Sequence, residues 1–231
     1  MARGVLFDVD GTLVDTSYLH AVTWHEALRQ GGHVCRVVDV HRAIGLGSDE
    51  ILDHLLGEDR DRDDDQELQD AHIALYKQWW GRLTRVPGAQ DLLRRTRAAG
   101  LKVVLASSAS QGELDALLEA LDCDDAIDVA TSSTDADAGK PAPDLLEAAL
   151  QKAGLQVQDS VYVGDAVWDG ATTRRIGMPF VAVLSGGIAE ADLREAGAVE
   201  VWRDADDLAR HFAASVLGRL AQGGNGVDVG D

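Results

Sequence analysis

The chain has 231 residues, 45% hydrophobic and 26% charged, enough to bury a large core without disulfide or metal staples. Its 40 acids against 21 bases leave a formal net charge of -19, a field that argues against broad binding to a nucleic-acid backbone but permits a small phosphorylated ligand held by local cations. Cys35 and Cys123 are too few for a disulfide framework or a zinc site, and the longest uncharged stretch, Ile176–Ala189, is too short to cross a bilayer. Asp8 stands before any signal-peptide core could form, so a cytoplasmic protein with no membrane partner is expected.

The first apolar run, Val5–Val9, is rich in β-formers and ends at Asp10-Gly11, which predicts a strand and a turn. From Thr16 to Arg85 the patterns are helical only. Tyr18, Val22, His25 and Leu28 share one helical spacing, and Leu68, His72, Leu75, Trp79 and Leu83 share another. The acidic segment Glu58–Asp70 within this interval predicts a solvated loop or helix start. Beyond it the rhythm is strand and helix. Strands are predicted at Lys102–Ala106, Ile127–Ala130, Val161–Val163, Phe180–Leu184 and Val199–Trp202. Helical faces are predicted from Leu114, Leu117, Leu118 and Leu121, from Leu145, Ala149 and Leu150, and from Leu208, Phe212 and Val216. The glycine-rich tail, Gln222–Asp231, is expected to be disordered.

Alternating strands and helices imply an α/β fold with a doubly wound parallel sheet. The helical interval is too long for a plain crossover. It predicts a helical cap domain, residues 16–86, inserted into a core of residues 1–15 and 87–231, with hinges near Val14–Thr16 and Leu83–Gly88.

Ligands of parallel α/β sheets bind where the strands end. Asp8 and Asp10 stand there after the first strand, Ser107 and Ser108 after the second, and Asp165 and Asp169 after the Val161 strand; Lys140 precedes a helix in Gly-Lys-Pro. Residues two apart on an extended chain leave on one side, about 6–7 Å apart. Three clustered carboxylates repel and raise one another's pKa, and a hard divalent cation bound by oxygen alone, Mg²⁺, relieves this. A solvated sheet edge in an acidic chain is the plain alternative. Lys140 gains a purpose beside such a site by anchoring an anion, and Ser107 with following N–H groups forms a phosphate-sized nest. The sequence has no Gly-x-Ser-x-Gly elbow, P-loop or His-Glu-x-x-His motif.

Together these residues resemble the haloacid dehalogenase superfamily of phosphohydrolases. Asp8-Val9-Asp10-Gly11-Thr12-Leu13-Val14-Asp15-Thr16 matches its first motif, Ser107 the second, Lys140 in Gly-Lys-Pro-Ala-Pro-Asp the third, and Gly164-Asp165 with Asp169 the fourth. The helical insertion is similar to the subgroup of phosphoglycolate phosphatases, sugar-phosphate phosphatases and β-phosphoglucomutases, and Tyr18, His20 and Trp24 fit its first cap helix. The resemblance implies a nucleophile at Asp8 and a general acid and base at Asp10, whose acidic neighbours should raise its pKa. It implies Mg²⁺ on Asp8, the Asp10 carbonyl and Asp165, with phosphoryl oxygens on Ser107 and Lys140 and an orienting role for Asp169. Thr12, Ser108, His20, His41 and Arg42 are candidate substrate contacts. The implied protein is a phosphatase of small phosphorylated metabolites, working as a monomer or weak homodimer.

Departures from the pattern rank the rivals. Ala166 replaces the usual Ser or Thr, and Ala-Ser-Ser-Ala lacks the Thr-Asn common in phosphoglycolate phosphatases. Asp10 argues against dehalogenation. Lys77 is the only lysine from Thr16 to Val86, which disfavours a Schiff-base phosphonatase. A phosphomutase would need cations near Gly45, where only Arg42 is at hand, so it ranks second. A receiver-type signalling domain would lack residues 16–86, and a silent phosphate-binding protein would tolerate loss of Asp8 or Asp10.

Overall fold

The computed structural model describes residues 2–136 and 138–224. Of the tail expected to be disordered, residues 225–231 lie outside the described residues. The strands are β1 Gly4–Phe7, β2 Lys102–Ala106, β3 Val129–Thr131, β4 Ser160–Gly164, β5 Phe180–Val183 and β6 Ala198–Trp202. They form one parallel sheet in the order β3-β2-β1-β4-β5-β6. The chain winds outward from β1 in one direction, then returns to β4 on its other side. The point of reversal, between β1 and β4, leaves a crevice at their carboxyl ends.

The central strands β1, β2, β4 and β5 are buried on both faces because they are apolar along nearly their whole length, with Lys102 and Ser160 only at the strand starts. Val5, Phe7, Val103, Leu105, Val161 and Val163 face one helical layer; Leu6, Val104, Tyr162 and Phe180 face the other. The first layer is built from α5 Ala89–Ala98, α6 Gln111–Leu121, α10 Ala205–Arg210 and α11 Val216–Ala221. On the second face α7 Asp144–Ala153 and α9 Glu190–Glu195 bury Leu145, Leu146, Leu150 and Leu193. Helix α8, Val167–Ile176, follows β4. The spacing of Leu208, Phe212 and Val216 suggested one helix. The chain instead breaks into α10, a 3-10 turn Phe212–Ala214, and α11, because the Ser215 hydroxyl caps a new start by accepting from Gly218 N–H.

Between β1 and α5 stand four helices: α1 Ser17–Gln30, α2 Val37–Ala43, α3 Ser48–Leu56 and α4 Asp65–Lys77. They enclose an apolar cluster of their own, with Trp24, Leu28, Val40, Ile51, Leu52 and Leu68. Two crossing segments join it to the sheet layers, with Asp15 N–H donating to Thr84 O and Val86 N–H to Leu13 O, both at 2.8 Å. The predicted helical faces are corrected here. In α1, Tyr18 and Val22 are exposed, while His20, Ala21, Trp24 and Ala27 turn inward. Helix α4 ends at Lys77 and buries Leu68, His72 and Tyr76 rather than running on through Trp79 to Leu83. Hydrophobic spacing alone could not show that His20 and His72 take inward positions by bonding to other buried polar groups. The acidic segment begins α4 and is tied by Arg60, which bridges Asp53 and Asp65.

Candidate active site

Strand pairing places the first acid. Asp8 follows β1 and its N–H donates to Val163 O at 2.8 Å, so it ends the strand beside β4. Its Oδ1 accepts from Lys140 Nζ at 2.9 Å, and the same Nζ donates to Asp169 Oδ1 at 2.8 Å. Lys140 is buried, and although burial pulls its pKa down, the charges of Asp169 and Asp8 hold it well above the usual lysine range. Asp169, one turn into α8, is fully engaged: Oδ1 also accepts from Tyr162 OH, and Oδ2 accepts from the N–H groups of Asp165 and Ala166. It therefore holds the loop after β4 and the lysine.

Asp165 accepts from Thr12 Oγ1 at 2.9 Å and from Ser17 Oγ at 3.3 Å, which fix its carboxylate next to Gly11. Ligand atoms of Asp8, Asp165 and Asp169 lie within 4.8 Å of one another. Burial, followed by mutual repulsion, pushes Asp165 well above the usual carboxylate range; burial pushes Asp8 up to about 7 despite Lys140. Two buried carboxylates that resist ionisation and offer only oxygen as ligand atoms fit a hard cation such as Mg²⁺.

Asp10 behaves otherwise. Its Oδ1 accepts from Thr16 Oγ1 at 2.7 Å and lies 3.2 Å from His20 Nε2. Burial alone would raise its pKa, but the His20 and Thr16 contacts and the His20 charge hold it below the usual range. The expectation that acidic neighbours raise Asp10 is thus corrected: a cation, not an acid, is its nearest charged neighbour. His20 also lies 3.5 Å from Glu113 Oε1, and these two acids outweigh burial to raise its pKa. Burial pushes Glu113 itself up to about 7. His72 bonds His20 Nδ1 at 3.4 Å and Thr23 Oγ1 at 3.1 Å, and stacks on Trp24.

These groups open on a cavity of about 450 Å³ between the strand ends and α1, α3 and α4. Asp8, Asp10, His20, Ser108, Lys140 and Asp165 line it. The other predicted residues do not. Ser107 is fully buried behind the wall of Ser108–Ser110, its hydroxyl accepting from Ala109 N–H. Thr12 is spent on Asp165. His41 stacks on Tyr18 and bonds Gly186 O at 2.8 Å, and Arg42 is exposed while its carbonyl accepts from Trp168 Nε1. His41 and Arg42 are seam residues between α2 and the sheet layers, because α2 turns them away from the cavity. Glu50, Glu113 and His72 line the cavity and were missed. A glutamate in a helix's first turn and a histidine on an apolar face read as surface and core, and only long-range packing brings them here.

The family model for haloacid dehalogenase-like hydrolases matches residues 5–183. A phosphoglycolate phosphatase of Cereibacter sphaeroides is 30% identical over 197 residues, 83% of this chain and 89% of that protein. The crystal structure of a hydrolase from Pseudomonas syringae superposes with a TM-score of 0.86 at 32% identity, covering 92% of this chain and 98% of that one. A putative β-phosphoglucomutase from Bacteroides vulgatus shares the fold, with a TM-score of 0.85 at 20% identity over 96% of this chain and 90% of its own. With its four motif positions gathered at one sheet edge, this chain belongs to the haloacid dehalogenase-like hydrolase family.

Proposed function

We propose that the protein is a Mg²⁺-dependent phosphatase of small phosphomonoesters that works through an aspartyl-phosphate. The observation that carries this reading is the buried Lys140 bridge between Asp8 and Asp169, which aims one Asp8 oxygen at Lys140 and leaves Oδ2 without a hydrogen bond among the described residues. That free oxygen attacks phosphorus, the phosphorus–alcohol bond breaks, and the leaving oxygen takes a proton held in the Asp10–His20 pair. Water then attacks the phosphorus of the acyl phosphate, gives its proton to Asp10, and releases inorganic phosphate and free Asp8. Lys140 and the N–H groups around Ser108 hold phosphoryl oxygens, with Ser107 bracing that turn through Ala109. Asp8, Asp165 and the Asp10 carbonyl would hold Mg²⁺, which when bound offsets the charge on the transferring group and on Asp8.

Residues 16–86 serve as a lid over a core of residues 1–15 and 87–231, closing water out of the cavity. The free Cys35 and Cys123 suit a reducing compartment, and we assign the protein to the cytoplasm. Among the described residues no helix is long and apolar enough to cross a membrane. Phosphate release from p-nitrophenyl phosphate tests the reading: it should require Mg²⁺, stop with a chelator, and vanish in Asp8→Asn. Metal-independent turnover, or an active Asp8→Asn, would refute it.

A further inference from the structure

The cavity is rich in acceptors and poor in cations. Asp8, Asp10, Asp49, Glu50, Glu113 and Asp165 line it, and among the described residues Lys140 is its only lysine or arginine. That lysine is already divided between Asp8 and Asp169. The cap's arginines look elsewhere: Arg60 holds Asp53 and Asp65, Arg36 holds Asp39, and Arg42 is exposed.

The cap-side wall is built from parts of α1 and α4, residues 44–47 and the first turn of α3. A helix start ordinarily attracts an anion, but Asp49 and Glu50 occupy this turn and offset its positive end. Asp49 accepts from Gln69 Nε2 at 2.6 Å. Glu50 accepts no hydrogen bond among the described residues, and its carboxylate lies over Gly47 and Gly139, where a side chain on either glycine would strike it. An acceptor held in this way in a polar cavity is complementary to a hydroxyl donor and repels a second anion.

We propose that the alcohol released at this site carries no negative charge: a neutral, hydroxyl-rich alcohol of polyol or sugar size that donates to Glu50, rather than a carboxylate-bearing or doubly phosphorylated one. This rests on the phosphatase reading. It separates the protein from its phosphoglycolate phosphatase relatives, whose named substrate brings a carboxylate into the cavity, and from a mutase, which must seat two phosphates.

The test is steady-state phosphate release by the full chain with Mg²⁺, using p-nitrophenyl phosphate as the control ester. Glycerol phosphate and hexose 6-phosphates are compared with 2-phosphoglycolate and a hexose bisphosphate. The expected result is a kcat/KM at least tenfold higher for the best neutral-alcohol ester than for either 2-phosphoglycolate or the hexose bisphosphate. In Glu50→Gln the ratio of 2-phosphoglycolate to neutral-ester kcat/KM should rise severalfold, mainly through a lower KM for phosphoglycolate. Activity on p-nitrophenyl phosphate with phosphoglycolate or bisphosphate preferred overturns this inference and leaves the phosphatase reading standing. An unchanged ratio in Glu50→Gln overturns the role of Glu50. No phosphate release from any ester overturns the phosphatase reading and this inference with it.

Discussion

Lys140 and Asp169 form a 2.8 Å ion pair although their side chains are only 2% and 0% exposed. Removing one partner of a buried pair leaves the other charge uncompensated, which costs about 3–5 kcal/mol. Asp169 also satisfies the N–H groups of Asp165 and Ala166 and the Tyr162 hydroxyl. Asp169→Ala should therefore lose about that much unfolding free energy in urea titration, and Asp169→Asn, which keeps one acceptor oxygen, drops the charge and turns an NH2 toward donors, should lose a comparable amount. A loss under about 1 kcal/mol in the alanine variant would show that the pair does not organise the site.

The metal expectation has a readout apart from turnover. A ligand that binds only the folded state stabilises it by mass action, about 2.7 kcal/mol at a hundredfold excess over Kd. Added Mg²⁺ should raise the melting temperature of the wild-type protein, and the rise should be largely gone in Asp165→Asn. Equal shifts in the two proteins would place the cation elsewhere.

His72 predicts a pH dependence. Burial, reinforced by the neighbouring His20 charge, pushes it well below 6.5, so it stays neutral in the fold. Below pH 6.5 the unfolded chain binds a proton there that the folded chain does not. The contribution of His72 is thus present above its unfolded pKa and is lost as pH falls, by about 1.4 kcal/mol per pH unit. Denaturant titrations at pH 7.5, 6.0 and 5.0 should show the gap between wild type and His72→Gln closing or reversing as the solution becomes acidic. Parallel pH profiles for the two proteins would rule this out.

Gly47 tests the closeness of cap and core. Its backbone φ is an ordinary -66°, so alanine there brings no backbone strain, but the added Cβ would strike the Glu50 carboxylate and lie 2.8 Å from Gly139 Cα. Gly47→Ala should hold the two loops apart and lower kcat/KM on p-nitrophenyl phosphate by about tenfold, since small misplacements of catalytic groups are costly. Unfolding free energy should change by less than about 1 kcal/mol. Unaltered kinetics would mean that the contact plays no part in turnover.

The strands and the motif acids were legible because their signals are local. An apolar run ending in Asp-x-Asp-Gly is a strand and a turn, whatever surrounds it. Helix faces were legible where leucine repeats dominate, as in α6 and α7. They were misread in α1 and α4, where His20, Thr23 and His72 bury polar atoms by bonding one another. Such pairings join residues far apart in sequence and leave no periodic trace. The same reason hid Glu113 and Glu50, and made Arg42 look like a ligand.

By itself the sequence determined the parallel α/β layering, the helical insertion after β1 and the kinds of group at the strand ends, since hydrophobic period and turn chemistry act over a few residues. Only the tertiary structure decided which of those groups meet: that Lys140 is shared by Asp8 and Asp169, that His20 lies against Asp10, and that the cap turns acids rather than arginines toward the cavity. Charge and hydrogen-bond complementarity between distant segments is settled by how the layers pack, and packing is a property of the whole chain.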